Sequence, residues 1–141
     1  MDKSAVKQWV DENIERLQAE MGLPHWRLQI LYESIEAREG GFQPVATVRF
    51  KPEYERACIT VNFDEVESES TLEEHLKHEL AHVVHAPFEI PYEIVKAIVT
   101  DEQLSAINKA WITAEEMTVR NIERLLHAQA KLQKTEQEGA P

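Results

Sequence analysis

Residues 74–85 of the 141-residue chain read EHLKHELAHVVH, a pattern that predicts an amphipathic helix. Its leucines and valines at positions 76, 80, 83 and 84 form one apolar arc of a helix. The histidines at 75, 78, 82 and 85 occupy a separate arc about 80° wide. Thr71, followed by Glu74 three residues later, has the pattern of a capping box, and Pro87 limits the other end. We therefore expect a helix from Thr71 to about His85, with one face packed on a core and a second face lined by histidines.

An H-E-x-x-H motif lies within this helix, formed by His78, Glu79 and His82. Positions i and i+4 share a helix face, so both imidazoles can bind one ion at the ~2.0–2.1 Å typical of Zn²⁺–N bonds. Glu79 lies to one side of the pair, where its carboxylate can take a proton from a metal-bound water that attacks a carbonyl. The motif predicts one Zn²⁺ per chain, with His78 and His82 as ligands and Glu79 as general base.

A catalytic zinc site has three protein ligands, so the motif needs a further residue. His85 lies seven residues beyond His78, or ~10.5 Å along the helix axis, and is too distant to share the ion. His75 and His85 are therefore interpreted as lining the cleft or as structural residues. Glu89 and Glu93 follow the helix end closely, although a tight loop could bring either of them back.

Two glutamates of the last helical segment are better candidates for the third ligand. Glu115 and Glu116 lie four and three residues before Val119 on an apolar stripe predicted to be buried, whose other members are Ile112, Ile122 and Leu126. A carboxylate on such a stripe needs a partner, because burial of an unpaired charge is unfavourable, and a metal ion would supply that partner. At least one of the two must instead be an exposed acid near a helix N-terminus. The spacing alone leaves both open.

The sequence around the H-E-x-x-H helix predicts an α+β fold. Residues 4–21 have the apolar spacing of an amphipathic helix, and alternating apolar residues over 26–32, 46–50 and 57–63 predict three strands. We expect an antiparallel meander with one covered face. Residues 92–99 and 101–132 have helical spacing, with a break predicted near Thr113. A single domain over residues 1–132 is expected, followed by a flexible tail over 133–141.

The composition limits the possible partners. The 15 lysines and arginines against 26 aspartates and glutamates give a net charge of −11 without a basic patch, so no nucleic-acid or anionic-membrane partner is expected. The only cysteine, Cys58, excludes a disulfide framework. No apolar run approaches the ~20 residues of a membrane span, and the N-terminus is charged and amphipathic rather than a secretory signal. A cytoplasmic location is therefore expected, and an acidic inhibitor stays an open alternative.

The motif and its surroundings resemble the gluzincin branch of the zincin metallopeptidases. The resemblance is carried by H-E-L-A-H at residues 78–82, a helical glutamate 34 residues after His82, and a preceding segment rich in strands. The run E-x-x-V-x-x-I-x-x-L-L at residues 116–126 is similar to minimal members found in bacteria and their phages. This resemblance implies a zincin-like fold in which His78, His82 and Glu116 bind zinc and Glu79 is the general base, with Glu115 as the alternate third ligand.

The resemblance also implies the reaction, which is zinc-dependent hydrolysis of peptide bonds in a peptide or protein substrate. In that family the strand before the active helix, here residues 57–63, lies along the cleft and pairs with extended substrate. One departure is Arg120, which stands where larger gluzincins carry an acid four residues after the ligand glutamate. Donors that could stabilise an oxyanion are Tyr54, Tyr92, His85, Arg120 and His127. The alternative function is a non-catalytic acidic binding or inhibitor protein on the same zinc-binding scaffold.

Overall fold

The computed structural model describes residues 1–35, 41 and 43–138. The chain divides into two compact units, Met1–Val84 and His85–Pro141, called the first and second unit here. Helices and a three-stranded sheet confirm the α+β class. The single domain over residues 1–132 stays a prediction, and the end of the predicted tail, residues 139–141, lies outside the described residues. No helix in the described part of the chain has both the length and the apolarity that a membrane span requires.

The first unit contains two helices and a sheet in the order α1 (Lys3–Glu20), β1 (Arg27–Tyr32), β2 (Ala46–Lys51), β3 (Arg56–Val61) and α2 (Glu69–His85), whose last residue opens the second unit. Asp2 caps the N-terminus of α1, and its carboxylate accepts a hydrogen bond of 2.9 Å from the Ala5 amide. The core combines apolar residues of α1, β3 and α2 that are fully buried, namely Val6, Val10, Leu17, Ile59, Val61, Leu72, Leu76, Leu80 and Val83.

The sheet is mixed, so the predicted antiparallel meander is wrong. Its strand order is β1-β3-β2, in which β2 pairs antiparallel with β3 and β1 pairs parallel with β3. Only residues 52–55 separate β2 from β3, and a connection that short favours a hairpin. Strand β3 is the most apolar of the three, with Ala57, Ile59 and Val61 buried, so it takes the central position and gains a partner at each edge. Strand β1 is left to pair with the remaining edge of β3.

The predicted capping box at Thr71 is replaced by a cap three residues earlier. Helix α2 begins at Glu69, and the Ser68 hydroxyl accepts a hydrogen bond of 3.2 Å from the Thr71 amide. Thr71 therefore occupies the third helical position instead of the cap itself. The predicted C-terminal end at His85 is confirmed. These bounds place the whole H-E-x-x-H motif well inside a regular helix.

The second unit contains a single 3₁₀ turn (Ala86–Phe88) and two helices, α3 (Glu89–Ile98) and α4 (Asp101–Glu138). The break predicted near Thr113 is wrong, because α4 is continuous and the Thr113 hydroxyl donates to the Lys109 carbonyl one turn earlier, at 2.9 Å. Threonine is a common N-cap residue, but it can also lie within a helix when its hydroxyl bonds to the preceding turn, as it does here. The α4 backbone stays helical beyond Leu132, through Glu138. Val119 is buried as predicted, but Ile112 is 57% exposed and does not belong to a buried stripe.

Candidate metal centre

Helix α2 places His78 and His82 on the same side of the helix. Leu76, Leu80 and Val83 are fully buried on the opposing arc and anchor α2 in the core of the first unit. The two histidines are half-buried, so their rings are held by the helix yet accessible from outside. The separation into an apolar arc and a histidine arc, predicted from the spacing, is therefore confirmed at these positions.

The two imidazoles are arranged as zinc ligands require. Their Nε2 atoms lie 3.2 Å apart, and the rings meet edge to face with centroids 4.9 Å apart at 81°. Two nitrogens bound tetrahedrally at ~2.0–2.1 Å to one ion lie about 3.3 Å from each other. The same distance also suits a hydrogen bond between the rings, with one Nε2 donating and the other accepting. Metal binding replaces that hydrogen bond, since both nitrogens must then offer lone pairs.

Glu79 lies between these histidines in sequence and follows His78 by about 100° around the helix, which places it about 60° from His82. Its side chain is half-buried. A carboxylate beside the two imidazoles and accessible to solvent is suited to accept a proton from water. The role of Glu79 as general base stays a prediction.

The two candidate third ligands lie side by side on α4, in the second unit. Glu115 and Glu116 are both half-buried and point about 100° apart, because they are consecutive on a helix. Glu115 belongs to a group with His85 and Glu89, in which one ligand atom from each residue lies within 4.8 Å of the others. From the sequence, His85 is interpreted as a cleft-lining or structural residue, Glu89 is not favoured, and their association is not predicted. Its signal was the i, i+4 spacing of these two residues.

The backbone explains why His85 and Glu89 meet despite Pro87. The 3₁₀ turn Ala86–Phe88 keeps right-handed helical dihedral angles at His85, Phe88 and Glu89, so the chain continues to turn from α2 into α3. Pro87 lies in the first turn of this short helix, where a missing N–H is tolerated. Pro87 follows the end of α2 as predicted, but it does not keep His85 and Glu89 apart.

The strand expected to bind substrate is not available for that purpose. Strand β3 is hydrogen-bonded to β1 along one edge and to β2 along the other, and the Asn62 amide also donates to the Val45 carbonyl at 2.8 Å. The expectation that residues 57–63 pair with extended substrate is therefore wrong. β1 and β2 form the edges of the described sheet. Sequence alternation identified the strands but not which of them is central.

The candidate oxyanion donors have different environments. The Tyr92 hydroxyl donates to Asn108 Oδ1, and the Tyr92 ring stacks on Trp111. Tyr54 is exposed in the first unit, whereas the other three candidates belong to the second unit, where His85 is buried and Arg120 and His127 are exposed. Tyr92 is therefore held by contacts within its own unit, and no candidate is selected by these placements.

A network of charged side chains joins α1 to α2 through Lys77, the residue that directly precedes the H-E-x-x-H motif. Lys77 contacts Glu73 at 2.7 Å and Glu20 at 3.3 Å, and Arg16 contacts the same two carboxylates. A hydrogen bond from Lys77, opposed by burial and helped by Arg16, lowers the pKa of Glu73. Burial raises the pKa of Glu20, but Arg16 and Lys77 outweigh burial, so the pKa of Glu20 is also lowered. This network links the motif helix to α1 at the surface of the first unit.

Comparison with known proteins identifies no relative of the chain. No family model, no curated protein and no solved structure matches it. The resemblance to gluzincins therefore stays a prediction that depends on the motif. The short distance between the His78 and His82 Nε2 atoms is an observation independent of that resemblance.

Proposed function

We propose that the chain is a zinc-dependent metallopeptidase in which His78, His82 and Glu116 bind one Zn²⁺ and Glu79 is the general base. The observation that carries the proposal is the 3.2 Å separation of the His78 and His82 Nε2 atoms. This separation agrees with the spacing of two ligands around one tetrahedral ion, about 3.3 Å. The chemistry of the donor set, two imidazoles and a carboxylate, suits Zn²⁺ as well.

The choice of Glu116 over Glu115 is supported by what Glu115 does in the second unit. Glu115 lies with His85 and Glu89 and is directed toward that group. Glu116 points about 100° away from Glu115 around α4, and it is half-buried. Of the two glutamates, Glu116 is therefore the one not engaged with His85 and Glu89, and we assign it as the third ligand.

The proposed reaction is hydrolysis of a peptide bond. Zn²⁺ bound at this site would polarise the scissile carbonyl and lower the pKa of a nearby water to about 7. Glu79 accepts a proton from the attacking water as its oxygen bonds to the carbonyl carbon. Protonated Glu79 then donates that proton to the amine nitrogen as the C–N bond breaks. After the two transfers Glu79 is a carboxylate again, and the products are a carboxylic acid and an amine.

An extended substrate requires an open strand edge or a cleft. Strands β1 and β2 have their outer edges available for such pairing within the described sheet, and addition of a peptide strand to an edge is a common mode of recognition. The net charge of −11 favours neutral or basic substrates over acidic ones.

Cys58 is a free cysteine, and a reducing compartment such as the cytoplasm is the proposed location.

The test separates metal binding from catalysis. Purified chain is assayed for zinc content and for cleavage of a denatured-protein peptide library. Glu79→Gln should still bind zinc, but its rate of hydrolysis should fall by about 10²–10⁴-fold, because the substitution removes only the proton acceptor. Glu74→Gln, an exposed glutamate of the same helix, is the matched control and should cleave normally. If zinc is bound and no peptide is cleaved in a Glu79-dependent way, the alternative of a non-catalytic acidic binding protein replaces the enzyme.

A further inference from the structure

A second group of metal-ligating side chains lies wholly within the second unit. It consists of His85 at the end of α2, Glu89 at the start of α3 and Glu115 in α4. One imidazole nitrogen and one oxygen from each carboxylate lie within 4.8 Å of one another. Three residues from three separate helices thus bring their ligand atoms together in one place.

His85 supplies an independent observation that points to a ligand. The residue is only 7% exposed, and within the described part of the chain its Nδ1 atom is buried without a hydrogen-bond partner. Aromatic neighbours hold the ring instead, with Phe88 stacked at 5.1 Å and Trp111 at 6.4 Å. A buried polar atom without a partner destabilises a fold, so such an atom in a native protein calls for an explanation such as a bound ion, a bound water or a functional role.

Glu89 is oriented in the way that metal-binding carboxylates usually are. Its Oε1 atom accepts a hydrogen bond of 3.2 Å from the Trp111 indole nitrogen. Trp111 lies one turn before Glu115 on α4, so the same helix face provides both a ligand and the donor that holds a second ligand. Outer hydrogen bonds of this kind fix the rotamer of a ligand and are a regular part of metal sites.

We infer that His85, Glu89 and Glu115 form a second metal site, selective for a divalent first-row transition metal such as Zn²⁺. One imidazole and two carboxylates favour such an ion over Mg²⁺ or Ca²⁺, which prefer oxygen ligands alone. Ligand atoms bound tetrahedrally to one ion at ~2.0–2.2 Å lie about 3.3–3.6 Å apart. Rotations that move the ligand atoms by less than about 1 Å therefore close the group around an ion.

The role of this site is to stabilise the second unit. An ion bound by the last residue of α2, the first residue of α3 and the middle of α4 links these three helical segments. The aromatic contacts of Tyr92 and Phe88 around Trp111 and His85 enclose the same region. The site shares no residue with the set proposed for hydrolysis, and it does not depend on that proposal.

The experiment counts zinc ions on the full chain. We expect two Zn²⁺ per wild-type chain after dialysis, and one in the His78→Ala/His82→Ala variant. Adding Glu89→Gln to that double variant should lower its affinity for the remaining Zn²⁺ at least tenfold. Adding Glu93→Gln instead, at an exposed residue of α3, should leave that affinity unchanged. Circular dichroism checks that each variant is folded, and Glu89→Gln alone should lower the wild-type count from two to one.

The outcomes separate the two proposals. If the His78→Ala/His82→Ala variant is folded and binds no zinc, or if Glu89→Gln leaves its zinc affinity unchanged, the second site is overturned. If wild type and that double variant bind the same single ion in a Glu89-dependent way, the second site stands and the proposed catalytic site fails. A rise in the melting temperature of the double variant with Zn²⁺, absent after Glu89→Gln, further supports a stabilising role.

Discussion

Trp111 holds Glu89 through an indole–carboxylate hydrogen bond of 3.2 Å that links α4 to the start of α3. The Trp111 ring also stacks on Tyr92, with centroids 4.5 Å apart at 12°, and Tyr92 in turn donates its hydroxyl to Asn108 of α4. This set of contacts orders the α3–α4 pair around the His85, Glu89 and Glu115 group. A single aromatic residue therefore both packs the second unit and orients a carboxylate.

The first prediction concerns this hydrogen bond. Trp111→Phe keeps an aromatic ring against Tyr92 but removes the N–H donor to Glu89. We expect Zn²⁺ binding at the second site to weaken by about tenfold, since outer-shell hydrogen bonds contribute a factor of 10–100 to metal affinity. Isothermal titration in the His78→Ala/His82→Ala background measures the change. An affinity equal to that of the background variant would show that the indole has no part in the site.

The second prediction concerns zinc and stability at the H-E-x-x-H site. In a Glu89→Gln background, free Zn²⁺ at 100 times its dissociation constant should raise the free energy of unfolding by about 2.7 kcal/mol. His82→Ala should abolish this gain, because it removes one of two imidazoles that lie 3.2 Å apart. His25→Ala, an exposed histidine of the first unit, serves as control. Urea denaturation with and without Zn²⁺ gives both values, and an unchanged gain in His82→Ala would contradict the site.

The third prediction concerns Tyr32 in β1. Its hydroxyl is buried and has no hydrogen-bond partner among the described residues, and burial together with the charge of Asp11 raises its pKa to about 12. Tyr32→Phe removes an unsatisfied polar atom and should stabilise the chain by about 1 kcal/mol at pH 7. In the unfolded chain tyrosine ionises near pH 10, so wild type should lose stability as the pH rises from 10 toward 12, because only the neutral form suits the fold.

Thermal and urea denaturation at pH 7 and across pH 9–12 test this prediction. Because Tyr32→Phe has no hydroxyl to ionise, it should lose less stability than wild type as the pH rises from 10 toward 12. Tyr54→Phe changes a 65%-exposed tyrosine and should follow wild type throughout. A loss of stability at pH 7 in Tyr32→Phe would mean that the hydroxyl has a partner.

The fourth prediction concerns the charged network between α1 and α2. Glu73 has a lowered pKa through its contacts with Lys77 and Arg16, so its stabilising effect is present above pH 4.5 and is lost as the pH falls through its lower folded pKa. Glu73→Gln should destabilise the first unit by about 0.2–1 kcal/mol at pH 7, the range of exposed ion pairs, and by less at pH 3. Urea denaturation at both pH values measures this, with the exposed Glu74→Gln as control. An equal effect at both pH values would exclude a charge-based origin.

The extent to which this structure follows from its sequence depends on the range of the interactions. The helical spacing of α2 predicted the shared face of His78 and His82, and Pro87 predicted the end of α2 at His85, because both signals are local. The strand order did not follow, since alternation reports which residues face the core but not which strands are neighbours. The central position of β3 results from a competition among all three strands for a buried partner.

Some residue types occur both at helix ends and within helical segments, so their presence alone does not predict where a helix begins or ends. Thr113 has the residue type of a helix cap, but its hydroxyl bonds back to Lys109 within an unbroken α4. Pro87 follows the end of α2 as predicted, but it also lies in the first turn of the next helical segment. The i, i+4 relationship of His85 and Glu89 therefore continues past the proline, and a helix-end signal alone does not predict the group formed by His85, Glu89 and Glu115.

The parallel pairing of β1 with β3 has a consequence for how the chain folds during synthesis. Strands β1 and β2 have no contact as neighbours in the sheet, so neither has a strand partner until β3 has been made. The local β2–β3 hairpin forms with little loss of chain entropy, whereas docking of β1 requires closing a longer loop. A ribosome-bound fragment that ends before Arg56 should therefore contain helix α1 but no sheet. The H-E-x-x-H helix follows β3 directly, so it emerges only after the surface that it covers can exist.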